Sequence, residues 1–300
     1  MTVIRVKDVH YRYGADTWAL RGVSLEFGGG LAAIIGQNGA GKTTFARLLN
    51  GLLKPTSGEV WVDELNTAEH SVAEMARRVG LVFQNPNDQI FKSRILDEVM
   101  FGPRNLGVPE ETARRRALAA LELVGLAAVS DRNPYDFGLA DRKLVGIASV
   151  LAMDTPVVVF DEPTIAQDHR GVEKIKAIIR GLGEQGKLVI TITHDMDFVA
   201  EVFDRTIVFS RGTVALDAPT REVFSRPDLL REAFVEEPHV TRLGRAVFGP
   251  TVGPTDPRRA ATADRDVPAA PTARTVLTVD EFVADYLTKV ETRDARQKMG

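Results

Sequence analysis

The chain has 300 residues, 44% of them apolar, enough for a sizeable core, and its formal charge of −3 gives no electrostatic reason to expect a nucleic-acid partner. It has no cysteine, which excludes disulfides, thiolate metal sites and a thiol nucleophile. No apolar run approaches the roughly 18 residues that span a bilayer.

Residues 1–7 alternate like a strand and lack the apolar block of a signal peptide. A cytosolic chain is expected, with any membrane role supplied through partners. Further on, Leu31-Ala32-Ala33-Ile34-Ile35 suits a buried strand and residues 44–49 continue as a helix. Between them stand Gly36, Gln37, Asn38, Gly39, Ala40, Gly41, Lys42 and Thr43, followed by Thr44. This is an unbroken G-x-x-x-x-G-K-[ST]. Backbone N–H groups at Gly39, Gly41 and their neighbours can face phosphate oxygens at a positive helix end. Lys42 would reach the β- and γ-phosphates, and the Thr43 hydroxyl would ligate Mg²⁺. The competing reading is a plain Gly-rich turn between strand and helix.

A further strand, residues 80–83, runs directly into Gln84. The stretch 85–153 lacks strong strand signals and carries amphipathic helices, one bearing Ala113, Ala117, Leu118, Leu121 and Val124 with the Arg114-Arg115-Arg116 run on its solvated face. It reads as a helical subdomain inserted into an α/β core. Residues 156–160 form an apolar strand ending in Asp161 and Glu162. Adjacent carboxylates at a buried strand end are costly unless a cation or substrate uses them. Asp161 would hold Mg²⁺ and Glu162 would act as general base toward water. After a helical face at Val172, Ile175, Ile178, Ile179 and Leu182, the strand 188–192 leads to His194, whose imidazole is placed to hydrogen-bond a γ-phosphate. Gln84 is placed to touch Mg²⁺ or the attacking water. The other four histidines (His10, His70, His169 and His239) read as surface or turn residues, and no H-E-x-x-H pair occurs. Apolar strands alternating with helices imply a mostly parallel sheet covered on both faces.

Residues 236–300 form an extension. Within it, 249–276 is rich in Pro, Ala and Thr and is expected to be a linker. The helix expected over 278–291 opens on a capping-box pattern at Thr278 and Glu281. Its apolar stripe is Val279, Phe282, Val283, Tyr286, Leu287 and Val290, which suits docking on its own domain or on a partner subunit equally well.

The order of motifs, ending in Ala166-Gln167-Asp168 and then His194, resembles the ATP-binding cassette (ABC) family over about residues 3 to 220. The resemblance implies a P-loop NTPase fold of the α/β class, with a mostly parallel core, a β-rich N-terminal part and an inserted helical subdomain, plus a small C-terminal helical extension. The ATPase domain would span 1–235. By the same resemblance Tyr13 stacks on adenine, Gln84 is the Q-loop glutamine, Asp168 the D-loop acid and His194 the switch histidine. Residues 83–91 and 97–107, with the tail, are similar to the ATPases of energy-coupling factor (ECF) transporters, importers of vitamins and of cobalt or nickel ions. The implied cofactors are ATP and Mg²⁺. The implied partners are a transmembrane coupling subunit and a substrate-binding membrane subunit, with the chain at the cytoplasmic face of the membrane.

One motif departs from the family. Where a signature close to L-S-G-G-Q should open a helix, the chain has Phe137, Gly138, Leu139, Ala140 and Asp141. In the family that segment offers a serine hydroxyl and glycine N–H groups to ATP held by the other subunit of a head-to-tail dimer. Gly138 removes the hydroxyl, Leu139 and Ala140 add side chains, and Asp141 adds negative charge near an anion. The expected pairing is therefore with a second, non-identical ABC ATPase subunit. Alternatives are a soluble non-transport cassette ATPase and a nucleotide-gated regulatory subunit with little hydrolysis.

Overall fold

The computed structural model describes residues 2–14, 16–249 and 275–299, with 291–299 as backbone. Strands β1 (Ile4–Tyr13) and β2 (Thr17–Phe27) pair as an antiparallel hairpin, and β3 (Leu31–Ile35) leads through a loop into α1 (Lys42–Leu49). Then come β4 (Ser57–Val62), β5 (Leu65–Asn66), the single turn α2 (Val72–Met75) and β6 (Val79–Val82). Helices α3 (Ile95–Asn105), α4 (Glu110–Val124) and α5 (Leu139–Met153) all precede β7 (Val157–Asp161). Next, α6 (His169–Glu184) leads to β8 (Leu188–Ile192), and α7 (Met196–Val202) to β9 (Arg205–Ser210) and β10 (Thr213–Pro219). The described chain ends with α8 (Thr220–Phe224), α9 (Pro227–Glu232), α10 (His239–Phe248) and α11 (Val279–Met299).

Two sheets result. The first has strand order β2-β1-β4-β5; the second has order β10-β9-β3-β8-β7-β6 and is parallel except for β10. Side chains of the second sheet alternate between two cores with the period of two that a pleated strand imposes. Ala33, Ile35, Val158, Phe160 and Val189 face a core shared with α3–α7. Ala32, Ile34, Val157, Val159 and Ile190 face a core shared with α1 and the first sheet. Burial on both sides is why β3, β7 and β8 read as continuous apolar runs. Because the strands are parallel, the C-terminal ends of β3, β6, β7 and β8 open at one edge, where the loops carrying chemistry-bearing residues gather.

At the C-terminal end, Thr275 and Val276 were expected in the linker but are buried. The Thr241 hydroxyl on α10 donates to the Val276 carbonyl (2.6 Å). Residues 250–274 of the expected linker lie outside the described residues. Helix α11 runs past the expected end at residue 291 to Met299. It docks through Phe282, whose ring centroid is 5.4 Å from that of Phe248, and through the Arg221–Glu281 ion pair at 2.5 Å. Val279, Val283, Tyr286, Leu287 and Val290 stay exposed.

Candidate nucleotide-binding and hydrolytic site

The loop between β3 and α1 is shaped by close packing as much as by any ligand. A Cβ on Gly36 (φ +147°) would lie 2.2 Å from the Phe209 carbonyl oxygen, and one on Gly41 (φ +100°) 2.5 Å from that of Ala19. Both positions therefore demand glycine on steric grounds alone. Gly41 is the N-cap of α1, whose first residue is Lys42. The Lys42 ammonium donates to the carbonyls of Gly36 (2.6 Å) and Gln37 (3.0 Å) and lies 3.1 Å from His194 Nε2.

Glu162 adjoins the end of β7 with φ +50°, a left-handed conformation that is strained for a side-chain-bearing residue. Its backbone N–H donates to the Ile192 carbonyl (2.8 Å), which binds the turn to the end of β8. The carboxylate thereby faces His194. Oε2 accepts from the His194 backbone N–H (3.3 Å), and Oε1 lies 3.3 Å from Nε2. Burial pushes the Glu162 carboxyl up to about 7, against the opposing pull of the His194 N–H and of Lys42. Burial and the Lys42 charge both push His194 down, which favours the neutral ring; in the tautomer with Nε2 unprotonated, Nε2 accepts from the lysine. Lys42 itself is lowered by burial, opposed by Glu162 and Asp161.

A cavity of about 360 Å³ brings Tyr13, Asn38, Gly39, Gly41, Lys42, Thr43, Thr44, Gln84, Glu162 and His194 together. The Tyr13 hydroxyl lies 3.1 Å from the Thr44 hydroxyl, so the aromatic ring stands beside the start of α1. Gly36, Gln37 and Ala40 do not line this cavity. Asp161 lies deeper still, 3% exposed, and burial raises its pKa against the opposing Thr43 hydrogen bond. Its Oδ1 is buried without a hydrogen-bond partner. An orphaned carboxylate oxygen beside a threonine hydroxyl fits a hard divalent cation such as Mg²⁺. Among the described residues no group of three His, Cys, Asp or Glu could hold a metal ion by itself, so beyond Asp161, Thr43 and Gln84 such an ion would draw its ligands from phosphates and water.

Asp168 sits apart from the cavity. It is the N-cap of α6, and its carboxylate accepts from the Gly171 N–H (2.7 Å). Phe137, Gly138, Leu139, Ala140 and Asp141 also lie away from this cavity. Gly138 is the N-cap of α5, Leu139 is exposed, and the Ala140 carbonyl accepts from Gln167 Nε2 (3.0 Å). Asp141 occupies the first helical turn, where its charge suits the helix dipole.

Residues 20–165 match the ABC transporter family model. The chain is 42% identical over 245 residues to a putative ABC transporter ATP-binding protein of Pyrococcus furiosus, covering 82% of this chain and 94% of that protein. The chain belongs to the ABC transporter ATPase family. It is also 39% identical to the energy-coupling factor transporter ATP-binding protein EcfA of Methanoculleus marisnigri, over 82% of this chain and 90% of that one. Among solved structures it matches cbiO1 of Clostridium perfringens, described as part of the ABC transporter complex cbiONQ. That match has a TM-score of 0.67 and 31% identity, covering 82% of this chain and 98% of that one. A dimeric ATP-binding cassette bound to ADP and Pi matches with TM-score 0.68 and 28% identity, over 73% of this chain and 99% of that one. As a family member the chain is an ATP-binding, ATP-hydrolysing subunit that works with transmembrane partners.

Sequence reasoning missed Thr17, Trp18, Ala19 and Ile192 in the cavity lining and Lys143 nearby. Trp18, on β2, lines the cavity, and nothing in its local pattern marks it. Lys143, on α5, is 1% exposed. Its signal was legible, because it falls on the same helical face as the apolar Ile147 and Val150.

Proposed function

We propose that this ABC ATPase powers an ECF-type importer of a vitamin or transition-metal ion, as one half of an asymmetric ATPase heterodimer. In this reading Tyr13 stacks on adenine, and the loop from Gly36 to Thr44 cradles the phosphates with Lys42 on the β- and γ-oxygens. Thr43, Gln84 and Asp161 would hold Mg²⁺, which when bound would supply neutralisation of phosphate charge. Glu162 draws a proton from the attacking water, and His194 contacts the γ-phosphate beside it. Asp168, held as a helix cap, would meet nucleotide only across a dimer interface.

The observation that carries the asymmetric reading is the contrast within one chain. The half-site from Lys42 to His194 is complete, while residues 137–141 present no hydroxyl and add a carboxylate. The similarity to EcfA and cbiO1 supports the ECF assignment. Glu98, 3% exposed, accepts from the N–H groups of Phe91 (3.0 Å) and Lys92 (2.8 Å). This presents an exposed Phe91 in the segment after Gln84, a surface suited to a helix of the transmembrane subunit. The chain would sit at the cytoplasmic face of the membrane, held there by its coupling and substrate-binding partners.

The test is to purify the heterodimer and compare Glu162→Gln with the matching change in the partner subunit. Loss of turnover with Glu162→Gln alone supports the reading. Loss only with the partner's change, or robust hydrolysis by this chain as a homodimer, sinks it.

A further inference from the structure

Lys143 is a buried ammonium to which the hydrolytic scheme gives no part. Its Nζ donates to the carbonyls of Phe83 (2.7 Å), Gln84 (3.0 Å) and Asp161 (2.9 Å), so all three protons are taken by backbone. Among the described residues no carboxylate comes within ion-pair distance. Asp161 and Glu162 act on it only through space. Burying an ammonium that lacks a paired anion is costly, and neutral carbonyls offset only part of that cost. An apolar side chain would fill a core position next to Ile147 with no such penalty, so the lysine calls for another reason.

The three acceptors supply that reason. Phe83 and Gln84 come directly after β6, and Asp161 ends β7, the adjacent parallel strand. These two strand ends separate at this point into the Gln84 loop and the Glu162 turn. Lys143 clips both from the α5 side, four residues from the exposed Leu139 at the start of that helix. Lys143 holds Asp161 by its backbone carbonyl and leaves the side-chain Oδ1 without a partner. With Lys42 across the site, the pair Asp161–Glu162 lies between two ammonium groups.

We propose that Lys143 is a positioning residue that locks the start of α5 to the Gln84 loop and to the Asp161–Glu162 turn, so that displacement of residues 137–141 is felt where Mg²⁺ and water are held. The inference rests on the reading of Glu162 as the hydrolytic residue, and it is independent of the asymmetric pairing.

The experiment uses the complex with its partner subunits and compares wild type, Lys143→Met, Lys143→Gln and Glu162→Gln. Three quantities are read: the Kd of a fluorescent ATP analogue with Mg²⁺, kcat, and the Mg²⁺ concentration for half-maximal turnover. Lys143→Met should leave Kd within about threefold, lower kcat at least about tenfold and raise the Mg²⁺ requirement severalfold. Lys143→Gln keeps two donors and should recover part of the loss. Wild-type kcat and Mg²⁺ dependence in Lys143→Met overturn the proposal, and so does a parallel loss of binding, turnover and thermal stability. Unimpaired hydrolysis by Glu162→Gln would instead remove the reading of the site itself. If neither Lys143 variant folds, hydrogen exchange on the unmodified complex decides. Amides of residues 83–85 and 141–145 should slow together when Mg·ATP is added, and independent responses overturn the link.

Discussion

At the scale of single residues, Glu162 sets stability against the proposed hydrolytic role. Its carboxyl titrates at about 7 in the folded chain against an ordinary 4.5 because it is buried. Between those values the folded state holds a proton that the unfolded state releases, so stability falls as pH rises and the full penalty is present above about pH 7. A shift of that size corresponds to on the order of 3 kcal/mol. Glu162→Gln removes the penalty. Measured by urea unfolding without nucleotide, its advantage over wild type should be small near pH 5 and reach about 2–3 kcal/mol at pH 8. A pH-independent difference would show that burial does not act on this carboxylate. The same variant should lose turnover by about 10²- to 10⁴-fold while retaining nucleotide affinity, as removal of a general base requires. Asp168 is a simpler case. As an N-cap its replacement by Ala should cost about 1 kcal/mol in unfolding free energy, and Asn should preserve most of the cap.

Among the elements, the apolar stripe of α11 divides into a covered edge and an exposed one. Phe282 meets Phe248, and Glu281 bonds Arg221 and the Leu277 N–H, so one edge of the helix anchors it to the chain. The remaining apolar residues face outward. Phe282→Ala should destabilise the docked helix by about 1–2 kcal/mol and expose α11 to faster hydrogen exchange. Leu287→Ser should change the stability of the isolated chain by less than about 0.5 kcal/mol. If the outward stripe meets a partner subunit, the same Leu287 change should weaken complex formation on size-exclusion chromatography. Unchanged assembly would show that the stripe has no such role. Helix α5 divides similarly: its N-cap and first turn carry Gly138 to Asp141 of the altered segment, and Lys143 bonds the strand ends.

For the whole molecule, the complete half-site and the altered segment belong to different composite sites if the chain pairs head to tail. Restoring the family pattern with Gly138→Ser, Leu139→Gly, Ala140→Gly and Asp141→Gln should raise turnover at the partner's nucleotide site. Two new glycines in the first turn of α5 should also cost about 1–2 kcal/mol of stability. Turnover measured with Glu162→Gln in the background isolates the partner's site. No gain there would mean that the altered segment is not what limits it.

Much of the site was legible in linear order, because the loop from Gly36 to Thr43 and the acids at Asp161 and Glu162 are contiguous stretches that directly adjoin an apolar strand. Parallel strands covered on both faces have no polar alternation, so β3, β7 and β8 stood out by composition alone. The sequence by itself thus determined the family, the glycine-rich loop between β3 and α1, the position of the acids and the departure at residues 137–141. Only the tertiary structure decided that Lys143 joins two strand ends far apart in the chain, that Asp168 caps a helix and that Val276 is buried against α10. It also decided which edge of α11 is covered. Each of these depends on which backbone carbonyl or ring a side chain meets across the fold, and local pattern carries no record of partners distant in sequence.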